Sequence, residues 1–98
     1  MLWAPIHRLK WDELPDEWEV VINAHKYLQK YVLNYQLIME RSMFNGGKPV
    51  EIRCVLIRWE PKQGFNQRDV LFETTDPKHA ELILTVLISE AKHDSQRG

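Results

Sequence analysis

The sequence predicts an α+β fold, a two-layer sandwich in which an antiparallel β-hairpin packs against a long helix and a C-terminal helix. Three observations lead to this prediction. Residues 15–44 repeat apolar side chains with a helical period, residues 49–74 contain two strand-like runs around a turn, and residues 77–93 return to the helical period. With residues 1–11 as an arm or edge strand and 94–98 as a frayed tail, the 98 residues form a single domain in the order (β)αββα.

The N-terminal segment alternates only loosely and contains Pro5, which restricts a strand to the edge of a sheet. It also carries Trp3 and Trp11, whose rings represent too much apolar area to leave in water. We therefore expect the segment to pack on the body of the protein, with residues 2–10 as a third strand, or on another subunit.

A single amphipathic helix is expected from Pro15 to Phe44. The acidic residues between Asp12 and Glu19 favour the positive end of its dipole, and Asn45–Gly47 supplies the left-handed turn that ends it. Its apolar arc is wider than contact with one partner requires, so this helix needs contacts on more than one side.

The hairpin is expected to pair strand 49–60 with strand 67–74, which places Arg58 opposite Asp69. Both of its faces are apolar at mid-strand, so two helices on one face would leave the other face uncovered. Asp76 is expected to cap the second helix, with Pro77 at its first position. The residues expected to be nearly inaccessible are Ile57, Val70, Phe72, Leu84 and Leu87.

Composition excludes several classes of protein. A net charge of −1 gives no overall field that would attract nucleic acid or an anionic membrane. No apolar run approaches the roughly 18 residues of a membrane span, and the N-terminus lacks the pattern of a secretory signal. A single cysteine, Cys54, cannot form an internal disulfide and suits a reducing compartment, so a cytoplasmic location is expected.

No pattern of catalytic or metal-binding residues is present, and neither an enzyme nor a cofactor or metal site is expected. His79 and His93 would be about 21 Å apart along a helix, too far to share an ion. Cys54 lies within a strand, where a thiol is usually inert packing. His25 lies on the apolar arc and is expected to be a core or interface histidine with one hydrogen-bond partner.

The preferred function is a small non-enzymatic interaction or regulatory protein that forms a homodimer and binds a partner. The reason is that the apolar faces exceed what one chain of this size can cover. Residues expected at the interface are Tyr27, Tyr31, Tyr35, Ile38, Met39, Leu82 and Val86. Folding of the N-terminal arm onto its own subunit is the alternative cover, and it would leave a monomer.

Two other functions remain open. The basic hairpin over residues 48–68 could bind nucleic acid, although nearby acids and a pI of about 6.4 argue against this. The residues that would carry such binding are Lys48, Arg53, Arg58, Trp59, Lys62 and Arg68. The tyrosines at four-residue spacing, together with Trp18, also suit a pocket for a small apolar ligand.

Overall fold

The computed structural model describes residues 2–43, 46–60, 62 and 68–97, with all of their side chains except that of Arg97. The chain forms a four-stranded antiparallel sheet and two α-helices, which confirms the α+β prediction. In chain order the elements are β1 (Leu2–Pro5), two 3-10 helices (Arg8–Glu13 and Asp16–Trp18), α1 (Glu19–Leu28), β2 (Tyr35–Met43), β3 (Ile52–Trp59), β4 (Arg68–Thr74) and α2 (Pro77–Arg97).

The strands follow each other across the sheet in the order β1-β2-β3-β4. The predicted hairpin is present as β3 and β4, with Arg58 opposite Asp69. Of the strand expected over residues 2–10, only Leu2–Pro5 forms; it is an edge strand that pairs with β2 of the same chain, from Leu2 opposite Met43 to Pro5 opposite Glu40, and Arg8–Glu13 is a 3-10 helix instead. The arm therefore packs on its own subunit and removes one of the apolar surfaces that a dimer was expected to cover. The turn expected at residues 61–64 lies outside the described residues, apart from Lys62.

The prediction of a single long helix over residues 15–44 is wrong. Its first part is α1, and its second part is β2, which pairs with β3 from Tyr35 opposite Arg58 to Arg41 opposite Ile52. Six residues, 29–34, turn the chain between the two elements. Gly46 and Gly47 have the predicted positive φ angles, 60° and 85°, but their turn follows a strand and caps no helix. Pairing with β1 and β3 stabilises the strand conformation of β2, although its residues favour a helix.

The second helix begins as predicted. The backbone N–H of Lys78 donates to a carboxylate oxygen of Asp76 at 3.0 Å, which satisfies one of the unpaired amides of the first turn. Pro77 occupies the first helical position, where its missing N–H costs nothing. The helix continues to Arg97, so residues 94–97, expected to fray, are helical. Within the described residues, no helix is long and apolar enough to cross a membrane.

The main core lies between the inner face of the sheet and the two helices. Its buried residues are Trp18, Val21, Ile22, Leu28, Leu37, Met39, Cys54, Leu56, Ala80, Leu84 and Ala91. Leu84 and Ile57 are buried as predicted, whereas Phe72 and Leu87 are half-buried and Val70 is 59% exposed. A β-bulge accounts for Phe72, because the register shifts beside Ile57 and turns Phe72 to the inner face opposite Leu56, whereas Val70 stays opposite Ile57 on the edge strand β4.

The outer face of the sheet carries no helix among the described elements, yet it is not an open apolar surface. Val55 is 8% exposed, Ile57 1% and Ser42 2%, and none of them belongs to the main core cluster. These side chains are buried within a single chain, so the fold does not require a second subunit to cover them.

Candidate functional site

Arg53 is the centre of the outer face. Its Nε donates to Oε1 of Glu40 at 2.8 Å, and Nη1 lies 3.5 Å from Oε2 of Glu73. The guanidinium also stacks over the ring of Trp3, 4.3 Å from its centroid. One side chain of β3 thus joins β1, β2 and β4. This arrangement assigns Arg53 to the stability of the sheet and leaves little of its guanidinium for a phosphate.

The remaining residues predicted to bind nucleic acid are dispersed. Lys48 precedes β3 and Lys62 follows it, so the eight residues of the strand, about 26 Å, separate them. Arg58 lies 3.7 Å from Asp69, while the neighbouring Trp59 and its partner Arg68 point to the other face of the sheet. The structure does not bring the six residues together.

The residues predicted at a partner interface are also divided. Met39 is 0% exposed and lies in the core, so it is not available to a partner. Tyr35 packs against the core from the start of β2, and Ile38 is half-buried on the outer face. Leu82 and Val86, in contrast, are 64% and 52% exposed on α2.

Tyr27 and Tyr31 form a polar pair on the surface. Their rings meet edge to face at 5.7 Å, and their hydroxyl oxygens lie 3.4 Å apart. The ammonium of Lys92, on α2, lies 4.9 Å from the centroid of the Tyr27 ring. A hydrogen bond from Lys92 lowers the pKa of Tyr27, and the bond with Tyr27 raises the pKa of Tyr31. These contacts join α1 to α2 and show that the side of α2 that carries Lys92 faces α1.

Four of the exposed large apolar side chains lie on β4 and α2, whereas others, such as Leu9, Leu33 and Val50, lie elsewhere. At 100° per residue, Leu82 lies 80° around α2 from Lys92, Val86 lies 120° from it and the half-buried Ile83 lies 180° from it. Because α1 contacts β2 while α2 contacts β4, the Ile83 side of α2 is the side nearer the free edge of β4. We define the β4–α2 surface as Val70, Leu71, Leu82, Ile83 and Val86.

A cleft of about 670 Å³ lies between the first 3-10 helix and α1. Its base is apolar, with Trp11, Leu14 and Ile22, and polar side chains surround its rim. The complete lining is Arg8, Leu9, Trp11, Asp12, Leu14, Glu19, Ile22, Asn23, His25, Lys26 and Gln29. A second cleft of about 520 Å³ lies at the other side of this 3-10 helix, between Pro5 and Val50.

His25 lines the first cleft near the C-terminal end of α1. It is 1% exposed, and its Nε2 lies 3.3 Å from the carbonyl oxygen of Tyr35, as expected for a core histidine with one partner. Burial lowers the pKa of His25, the hydrogen bond to Tyr35 opposes that shift, and the nearby charge of Arg8 lowers it further. The imidazole is therefore neutral at pH 7.

The remaining reactive groups form no catalytic arrangement in the described part of the chain. Cys54 is 0% exposed, and burial raises the pKa of its thiol to about 12. The thiol is therefore buried and unreactive, as the sequence predicts. Among the described residues no three His, Cys, Asp or Glu side chains come together as metal ligands.

Comparisons of the chain with protein-family models, with curated proteins and with solved structures found no match.

Sequence reasoning missed the cleft and three of the five residues of the β4–α2 surface. Glu19 and Lys26 share one side of a helix, seven residues apart, which was visible in the sequence. The opposite wall of the cleft is the 3-10 helix that follows β1, and no local sequence pattern predicted this helix. Val70 was expected in the core; it lies opposite Ile57 as the predicted pairing requires, but β4 is an edge strand of the described sheet and 59% of the side chain is exposed.

Proposed function

We propose that this protein is a small non-enzymatic interaction protein that forms a homodimer through its β4–α2 surface. The observation that carries this proposal is the set of exposed apolar side chains beside an unpaired strand edge. Val70 is 59% exposed, Leu82 64% and Val86 52%, and no strand of the described chain pairs with the far side of β4. Such an edge offers free backbone donors and acceptors to another chain.

A second copy suits this surface because antiparallel pairing of β4 with itself can be complementary in charge. When Val70 lies opposite Leu71 of the second copy, Arg68 lies opposite Glu73, and this occurs twice about the twofold axis. In the same register, Asp69 lies opposite Phe72, so no two like charges face each other. The apolar side chains of α2 then lie next to this contact on both subunits.

The proposal is tested by the dissociation constant of the dimer in two matched variants, measured by sedimentation equilibrium. Val86→Glu introduces a charge into the β4–α2 surface and is expected to raise the constant about 30-fold or more, because each dimer then buries two unpaired carboxylates. Val50→Glu is the control, since Val50 is similarly exposed at 57% but lies at the second cleft, near β1. Equal dissociation constants for the two variants would contradict the proposed interface.

A further inference from the structure

The first cleft is electrically polarised along α1. Glu19 opens the helix, and Lys26 follows it two turns later on the same side, about 10 Å along the axis. Across the cleft, the guanidinium of Arg8 lies over the Trp11 ring, 5.3 Å from its centroid, and its charge acts on His25, one residue before Lys26. Asp12 is four residues after Arg8, about 8 Å along the first 3-10 helix, and the second 3-10 helix joins that helix to Glu19.

The base between these two ends is apolar and partly buried. Ile22 is 7% exposed, and Trp11 and Leu14 are half-buried against the core. The indole N–H of Trp11 donates to the carbonyl oxygen of Ile6 at 3.3 Å, which holds the ring in place. His25 adds no charge, because it is neutral, and the positive end therefore consists of Arg8 and Lys26.

We propose that this cleft binds a zwitterionic ligand whose charged ends are about 10 Å apart, and that a tripeptide with free termini is the matching chemical class. An extended peptide spans about 3.3–3.6 Å per residue, so three residues reach from one charged end of the cleft to the other. The ligand's ammonium lies between Asp12 and Glu19, and its carboxylate lies between Arg8 and Lys26. Its middle side chain packs on Leu14 and Ile22, beside the Trp11 ring that Arg8 covers. The volume is within the usual range of about 300–1,000 Å³ for ligand sites.

The first experiment is a titration of the ¹⁵N-labelled protein with the tripeptide Gly-Leu-Gly, followed by NMR. We expect saturable shifts of the Trp11 indole N–H and of the backbone amides of Asn23 and Lys26. Acetylating the peptide's N-terminus or amidating its C-terminus should each weaken binding about 10-fold, because each modification removes one charged contact. The absence of saturable shifts up to about 10 mM, a free energy of only about 3 kcal/mol, would overturn the proposal. Equal binding of the doubly capped peptide would also overturn it.

Charge-reversal variants then locate the two ends. Lys26→Glu should remove the loss of affinity caused by C-terminal amidation and keep the loss caused by acetylation, while Glu19→Lys should do the reverse. Both residues are exposed, so the variants are expected to fold. Lys78→Glu, an exposed position on α2 away from the cleft, is the matched control and should bind like the unmodified protein. If Lys78→Glu lost as much affinity as Lys26→Glu, the effect would come from the net charge of the protein, and the proposed binding site would be contradicted.

Discussion

Replacing Arg53 by methionine tests whether this residue holds the outer face of the sheet together. The pair with Glu40 is short and mostly buried, with side-chain exposures of 22% and 15%, and a charged hydrogen bond of this kind contributes about 1.5–3 kcal/mol. Stacking on Trp3 adds about 0.5–1 kcal/mol. The longer bond to the exposed Glu73 adds little. We expect Arg53→Met to destabilise the protein by about 3 kcal/mol, a fall in Tm of about 12–24 °C for a domain of this size.

The assay is urea unfolding followed by tryptophan fluorescence, combined with a double-mutant cycle. Arg53→Met, Glu40→Gln and the double variant should give a coupling free energy of about 1.5–3 kcal/mol. Arg58→Met is the matched control on the same strand, because its pair with Asp69 is longer and exposed, and it should cost less than about 1 kcal/mol. A coupling near zero, or equal losses for Arg53→Met and Arg58→Met, would refute the reasoning.

Three further predictions concern the core. Leu84 is 0% exposed, so Leu84→Ala should reduce the free energy of unfolding by about 2–5 kcal/mol in the same urea assay, and a loss below 1 kcal/mol would contradict its packing. Burial lowers the pKa of His25 below its ordinary 6.5, so the unfolded chain takes up a proton that the folded chain refuses. Stability should therefore fall as the pH drops below about 6.5, by up to about 1.4 kcal/mol per pH unit from this residue, and His25→Gln should lack that contribution. The thiol of Cys54 should react with a disulfide reagent at least about 1000-fold more slowly than in the urea-unfolded chain, because labelling requires opening of the core; rapid labelling in the folded state would contradict its burial.

Local signals were sufficient for the hairpin and for the start of α2. A β-branched and apolar run located β3, the returning run after the turn located β4, and their pairing placed Arg58 opposite Asp69. Asp76 with Pro77 located the beginning of the helix. Each of these features depends on contacts between residues close in the sequence. They are therefore readable without knowledge of the tertiary structure.

The second half of the predicted long helix could not be read in this way. Residues 35–43 contain Leu, Met, Glu, Gln and Arg, all good helix formers, and no glycine or proline separates them from α1. Their strand conformation depends on pairing with β1 and β3, from elsewhere in the chain. The alternation of Tyr35, Leu37 and Met39 inward with Gln36 and Glu40 outward was the available signal, and the helical period of the preceding segment obscured it.

The candidate sites were harder to predict because each joins distant segments. The cleft combines a 3-10 helix near the N-terminus with α1, and the β4–α2 surface depends on the edge position of β4 and on which side of α2 meets α1. Leu82 and Val86 were predicted to face a partner, and the structure leaves both exposed. Tyr27, predicted at the same interface, instead contacts Lys92 on the side of α2 that faces α1, and Tyr31 packs against Tyr27.

The central claim, that this protein associates with itself through the β4–α2 surface, is tested most directly by its mass in solution. Sedimentation equilibrium of the unmodified protein at tens of micromolar should give twice the chain mass of 11.7 kDa, with the fraction of dimer falling on dilution. A mass that stays near 11.7 kDa across that concentration range would contradict the claim.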